Sequence, residues 1–162
     1  MADDTDIPTL RGILHDNRRI AVVGISAEWH RPSYFAGKYM LEHGYTVIPV
    51  NPKYESVLGQ ECYPDLRTAR EKAGPIDMVD CFRRAEDIEP LADEAIAIGA
   101  KTLWMQLGIV NEIAARKART AGLVVVMDRC VKIEHARLFG GLNWAGVNTG
   151  VISSKRPRQF AY

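Results

Sequence analysis

The sequence predicts an α/β fold: a Rossmann-like, doubly wound, five-stranded parallel sheet in a single domain. Short apolar runs alternate with amphipathic, helix-spaced stretches, the pattern of repeated βαβ units. At 162 residues, the chain is long enough for one compact domain with a real core. Many of the segments close on glycine, which marks the turns between them.

Taken in order, residues 5–15 form an N-terminal helix packed on the sheet. Residues 19–24 (RIAVVG) are an apolar run ending in glycine, a buried strand. Residues 33–44 read as a helix, with Ser33 as its cap, Phe35, Tyr39 and Met40 at helical spacing, and Gly44 at its end. Residues 45–50 (YTVIPV) are a strand weakened near its end by Pro49. A short capped helix follows over 63–74, a strand over 76–82, and an amphipathic helix over 85–100. Residues 101–108 (KTLWMQLG) are the fourth strand. Residues 110–122 are a helix with Ile113 and Ala114 facing inward, 123–130 are the last strand, and Glu134 and His135 lie on a further helix. Residues 1–139 are therefore one domain. The Gly-, Asn- and Ser-rich stretch 140–162 is expected to wrap the body or a partner subunit, and Trp144 within it points to a homodimer contact.

Composition excludes several functions. The formal net charge is +1, so no global field recruits nucleic acid, and any attraction for anions is local. No apolar run approaches the roughly 20 residues of a membrane helix, and the acidic start MADDTD carries no export signal. Three cysteines without CxxC or CxxH spacing speak against a disulfide framework and against a zinc site. A reducing cytoplasm is the expected compartment.

Right-handed crossovers place the C-terminal ends of all five strands on one edge, where such sheets bind ligands. Five loops converge there. The first begins Gly24-Ile25-Ser26 and feeds a helix start, which makes an anion site from backbone N–H groups, with Arg31 and Ser33 as further donors. The competing reading is a tight turn and a cap. The loop is not GxGxxG. The second, Asn51-Pro52-Lys53, stands where a nicotinamide-binding unit would place a carboxylate on the ribose; a lysine suits a phosphorylated ribose instead, or is simply solvated. Phe82 and Arg83 after the third strand suit a base and a phosphate, or else a core ring and a solvated cation. Gln106 and Gly108 bring an amide and open backbone to the fourth loop, whereas Trp104 belongs to the core. Cys130 ends the fifth strand, facing the pocket or buried as an inert thiol. Glu134 and His135 are adjacent on a helix and so do not face one way.

The motifs VVGIS…RPSY, VIPVNPK, DMVDCFRRAEDI, GAKTLWMQLGI and VVMDRCVKIEHARL occur in that order. As a set they resemble the small stand-alone CoA-binding proteins of bacteria, whose domain is similar to the N-terminal domain of the succinyl-CoA synthetase α subunit. The match runs from about Leu14 to Phe139. It implies a bound coenzyme A or acyl-CoA. Gly24, Ile25, Ser26, Arg31 and Ser33 would lie near the phosphates, Pro49, Asn51, Pro52 and Lys53 beside the nucleotide, and Phe82, Arg83, Gln106, Gly108 and Cys130 along the rest of the cleft. The synthetase's phosphorylated histidine belongs to a further domain, and none of His15, His30, His43 and His135 is expected to take that role. The resemblance carries binding, not acyl-CoA synthesis. Two alternatives stand beside it: an NADP-dependent oxidoreductase, and a CoA-binding subunit of a larger enzyme. Cys130 would also allow a mixed disulfide with the CoA thiol.

Overall fold

A computed structural model describes residues 6–139. Helix α1 (Ile7–Asp16) is followed by β1 (Arg19–Val23), α2 (Pro32–Glu42) and β2 (Thr46–Val50). A hairpin of β3 (Ser56–Val57) and β4 (Gln60–Glu61) leads to α3 (Leu66–Ala73) and β5 (Met78–Cys81). A 3-10 turn, Ala85–Asp87, runs into α4 (Ile88–Ala97); then come β6 (Thr102–Met105), α5 (Glu112–Thr120), β7 (Val124–Val126) and α6 (Val131–Leu138). The main sheet is parallel, in the order β2-β1-β5-β6-β7. The strand order reverses between β1 and β5, the point at which doubly wound sheets open a crevice.

Alternation within each strand divides the core between two faces. Ala21, Val23, Val79, Leu103 and Val125 meet α3, α4 and α5, which present mainly alanine: Ala92 and Ala95, then Ala114, Ala115 and Ala118. Small side chains let these helices lie close to the sheet. Ile20, Val22, Met78, Trp104 and Val126 meet α1, α2 and α6 through Leu10, Leu14, Met40, Val131 and Leu138. Burying each large aliphatic side chain contributes about 1.5–3 kcal/mol. Trp104 is fully buried, and its indole N–H donates to the Arg129 carbonyl at 2.8 Å.

The structure departs from the sequence reading in several places. Ile113 is 60% exposed, because Ala114, Ala115 and Ala118 already form the buried stripe of α5. Ser33 does not cap α2; Pro32 opens the helix one residue earlier, with Arg31 at the cap position. Tyr63 lies outside α3 and bridges Val50 alongside β2. Pro49 sits within the edge strand β2, its carbonyl accepting the Tyr63 N–H on the outer side, so β1 loses no ladder bond. The β3–β4 hairpin had no counterpart in the predicted elements. The stretch 140–162, including Trp144, lies outside the described residues, as do residues 1–5.

Gly24 decides how closely the first and third crossover loops approach. Its φ is 86°, and a Cβ there would stand 2.2 Å from the Phe82 carbonyl oxygen. Gly99 has a φ of 74° with nothing within 4 Å of such an atom. Gly24→Ala is therefore expected to cost about 2–3 kcal/mol and lower the melting temperature by about 5–10 °C. Gly99→Ala, with backbone strain alone, should cost about 1 kcal/mol. Equal losses in thermal unfolding would show that the carbonyl contact is not limiting.

Candidate functional site

The crevice at the β1/β5 reversal opens into a cleft of about 960 Å³, near the upper end of the roughly 300–1,000 Å³ typical of small-molecule sites. Gly24, Ser26, Arg31 and Ser33 line it from the loop and helix after β1, Asn51 and Lys53 from the loop after β2, and Phe82 and Arg83 from the loop after β5. Gln106 and Cys130 close the far side. The other four candidates lie elsewhere. Ile25 is fully buried in the core, and Pro49 is buried within β2. Pro52 borders a small depression on the other side of its loop. Gly108 turns its N–H to the Asp128 carboxylate at 2.6 Å.

Side-chain hydrogen bonds hold the loops in register. Buried Asn51 donates from Nδ2 to the Ile25 carbonyl at 2.9 Å and accepts the Lys53 N–H at Oδ1, also at 2.9 Å. One amide thus ties the β1 loop to the β2 loop and fixes the backbone that carries Lys53, an Asx turn. The Ser33 hydroxyl accepts the Ser26 N–H, and the Ser26 hydroxyl accepts the Glu28 N–H, both at 3.0 Å. Serine at position 33 therefore shapes the loop rather than capping its helix.

Helix ends differ around the molecule in a way that matters here. The first turns of α1, α3 and α5 are capped by Asp6, Asp65 and Asn111. Helices α2, α4 and α6 begin without a side-chain cap, and residues at the starts of α2 and α6 line the cleft. The positive dipole ends of α2 and α6 favour an anion, although the Lys132 and Ile133 N–H groups of α6 also act on the Cys130 thiol.

The lining is electropositive. Arg31, Lys53, Arg83 and Lys132 face one carboxylate, Glu28. Glu28 accepts from Arg31 Nε at 2.9 Å, and that hydrogen bond holds its carboxyl below the usual range. Arg84 is instead spent on Glu86 and Asp87. Cys130 precedes the first turn of α6, yet burial outweighs the neighbouring N–H groups and pushes its thiol pKa up. Among the described residues, no group of three or more His, Cys, Asp and Glu side chains is placed to hold a metal ion. None of the described helices is long and apolar enough to cross a membrane.

Sequence reasoning missed Asp80. It sits at the centre of β5, 1% exposed, and accepts from Gln106 Nε2 beneath the cleft. A lone acid in an apolar strand gives no periodic signal, and its partner is 26 residues away. The lining residues that sequence reasoning missed include Phe35, Tyr54, Leu107 and Ile133, which are unremarkable in sequence and become neighbours only through the crossovers.

A family model described as "CoA binding domain" matches residues 18–136. The Bacillus subtilis protein YneT is 40% identical over 127 residues, 78% of this chain and 92% of that one. A solved structure from Pyrococcus horikoshii OT3 is 41% identical, with a TM-score of 0.79, covering 83% of this chain and 93% of that one. Another, from Thermus thermophilus, is 32% identical with a TM-score of 0.77, covering 83% and 99%.

Burial raises the Asp80 pKa from 3.8 to about 7, against the opposing hydrogen bond from Gln106. The folded state thus keeps a proton that the unfolded chain releases near pH 4. Asp80 contributes most to stability below pH 4, and that contribution is lost as pH rises towards 7. Asp80→Asn should remove this slope. In urea unfolding, the variant's stability relative to wild type is expected to rise on the order of 4 kcal/mol between pH 4 and pH 7.5. Parallel pH profiles would mean that Asp80 titrates like a surface aspartate.

Proposed function

This chain belongs to the CoA binding domain family, and on that premise we propose that it holds coenzyme A or an acyl-CoA in the cleft at the β1/β5 reversal, without catalysing a reaction itself. The observation that carries this reading is the pair of uncapped helix starts, α2 and α6, opening on a cleft ringed by four cations. Coenzyme A presents a diphosphate and a separate ribose phosphate, and both need such groups. The diphosphate takes the start of α2, with Arg31 and Arg83 beside it; the Gly24–Ser26 turn gives close backbone approach rather than donors, since the Gly24 and Ser26 N–H groups are bonded to the Val50 carbonyl and the Ser33 hydroxyl. Lys53, held by the Asn51 turn, takes the ribose phosphate. The Phe82 ring flanks the nucleotide, and Gln106 is left to meet the pantetheine amides.

The chemistry around the cleft favours binding over catalysis. Glu28 is kept ionised by Arg31 and is a poor proton donor. Cys130 stays a thiol near neutral pH and is a weak nucleophile. His135 is buried against the Tyr39 hydroxyl at 2.9 Å, away from the lining residues. Three free thiols suit a reducing cytoplasm.

Thermal unfolding and calorimetric titration test this reading. Coenzyme A at about 100 times its Kd should stabilise the fold by about 2.7 kcal/mol, and NADPH at millimolar concentration should not. Removing the ribose 3′-phosphate from the ligand should weaken binding about tenfold, as expected for one charge-assisted contact. In Lys53→Ala that difference should vanish. If the variant lowers affinity for both ligands equally, Lys53 does not read the 3′-phosphate. If NADPH stabilises and coenzyme A does not, the oxidoreductase reading replaces this one.

A further inference from the structure

The five loops do not share their chemistry evenly. Those after β2, β1 and β5 bring Lys53, Ser26, Arg31 and Arg83 to the cleft. Those after β6 and β7 bring Leu107, Ile109 and Ile133, together with Gln106, Cys130 and Lys132. Phe35 of α2 joins the second group, with the Lys132 ammonium 5.9 Å from its ring centroid. The lining carboxylate, Glu28, belongs to the first group. Strands lie about 4.8 Å apart, so the five-stranded edge spans about 19 Å from its cationic end to its apolar end.

Exposed apolar side chains collect along the same sheet edge, and two of them, Phe35 and Leu107, line the cleft. Among the described residues, the large exposed hydrophobics are Trp29, Phe35, Leu107, Val110, Ile113 and Phe139. The first five lie in loops or opening helix turns at the C-terminal edge of the sheet. Scattered exposed apolar residues need no explanation, whereas a collection at one edge marks a binding surface. Leu107, 56% exposed, is carried on a fixed turn: the Ile109 N–H donates to the Gln106 carbonyl at 2.9 Å, and the Asp128 N–H donates to the Ile109 carbonyl at 3.2 Å.

We propose that the β6–β7 end of the cleft is an acyl subsite, and that the ligand is a coenzyme A thioester carrying an aliphatic chain. This rests on the coenzyme A reading above. With its phosphates at the cationic end, the ligand directs its sulfur along the sheet edge towards Leu107, Ile109 and Ile133. A free thiol would leave Leu107 and Phe35 in water; an aliphatic chain covers them. Each fully buried methylene strengthens binding up to about fourfold, so partial cover along an open groove gives at least a tenfold gain for an eight-carbon chain.

Calorimetric titration of the full chain with coenzyme A, octanoyl-CoA, succinyl-CoA and octanoate tests the proposal. Octanoyl-CoA is expected to bind at least tenfold more tightly than coenzyme A, and octanoate alone not at all at the same concentrations. Leu107→Ser should cut the ratio of octanoyl-CoA to coenzyme A affinity to under threefold; the side chain is exposed, so the fold tolerates the change. Equal affinities for coenzyme A and octanoyl-CoA would overturn the subsite and leave the coenzyme A reading standing. Tighter binding of succinyl-CoA would assign this end to a carboxylate on Lys132 and overturn the aliphatic assignment. A dimer in sedimentation that Leu107→Ser dissociates would give the apolar face to a second copy, again overturning it. Failure of every coenzyme A derivative to bind would instead reject the parent reading.

Discussion

The backbone at Gly24 runs so close to the Phe82 carbonyl that an added methyl group would overlap it. That approach sets the width of the crevice at the β1/β5 reversal. The Phe82 N–H donates to the Val23 carbonyl at 2.9 Å, which continues the β1–β5 ladder to the point where the chains separate. The Gly24 N–H donates to the Val50 carbonyl at 2.8 Å, which joins the same turn to β2. Three strands therefore end on one glycine, and the loops carrying Arg31, Lys53 and Arg83 start from fixed positions. A ligand with several phosphates gains from this, because the backbone that carries the cations needs little further ordering on binding.

Polarity along the cleft follows from strand order rather than from any one loop. Asn51 locks the β1 and β2 loops together, so the backbone at the charged end is held in register. The buried Asp80–Gln106 pair under the middle of the cleft fixes the amide of Gln106, with its NH2 group given to the Asp80 carboxyl oxygen. The carbonyl oxygen of that amide remains as an acceptor. Acceptance suits the N–H groups of a pantetheine arm, which is how the buried acid fits the proposed ligand without touching it.

Much of this was legible in the chain. The five apolar runs and the ordered motifs identify the sheet and the family, because buried parallel strands and their exit glycines leave strong local signals. Strand order, and with it the division into a cationic and an apolar end, has no local signal and appears only when the crossovers are built. The hairpin β3–β4 escaped notice because two-residue strands show no periodicity. Ile113 reads as inward-facing because an isoleucine outranks alanine in any apolar pattern, yet the close helix–sheet contact admits only the alanines. Of the candidate site residues, those on the cleft are chiefly polar or charged side chains with a strand end behind them. Ile25, Pro49, Pro52 and Gly108 lie beside the cleft in sequence and outside its lining in space.

The most direct measurement is a crystal structure of the protein grown with coenzyme A. The account predicts the diphosphate at the Gly24–Ser26 turn and the start of α2, the ribose phosphate within reach of Lys53, and the sulfur beyond Gln106 on the β6–β7 side. Coenzyme A bound with its phosphates at the β6–β7 end, or bound outside the β1/β5 crevice altogether, would contradict it.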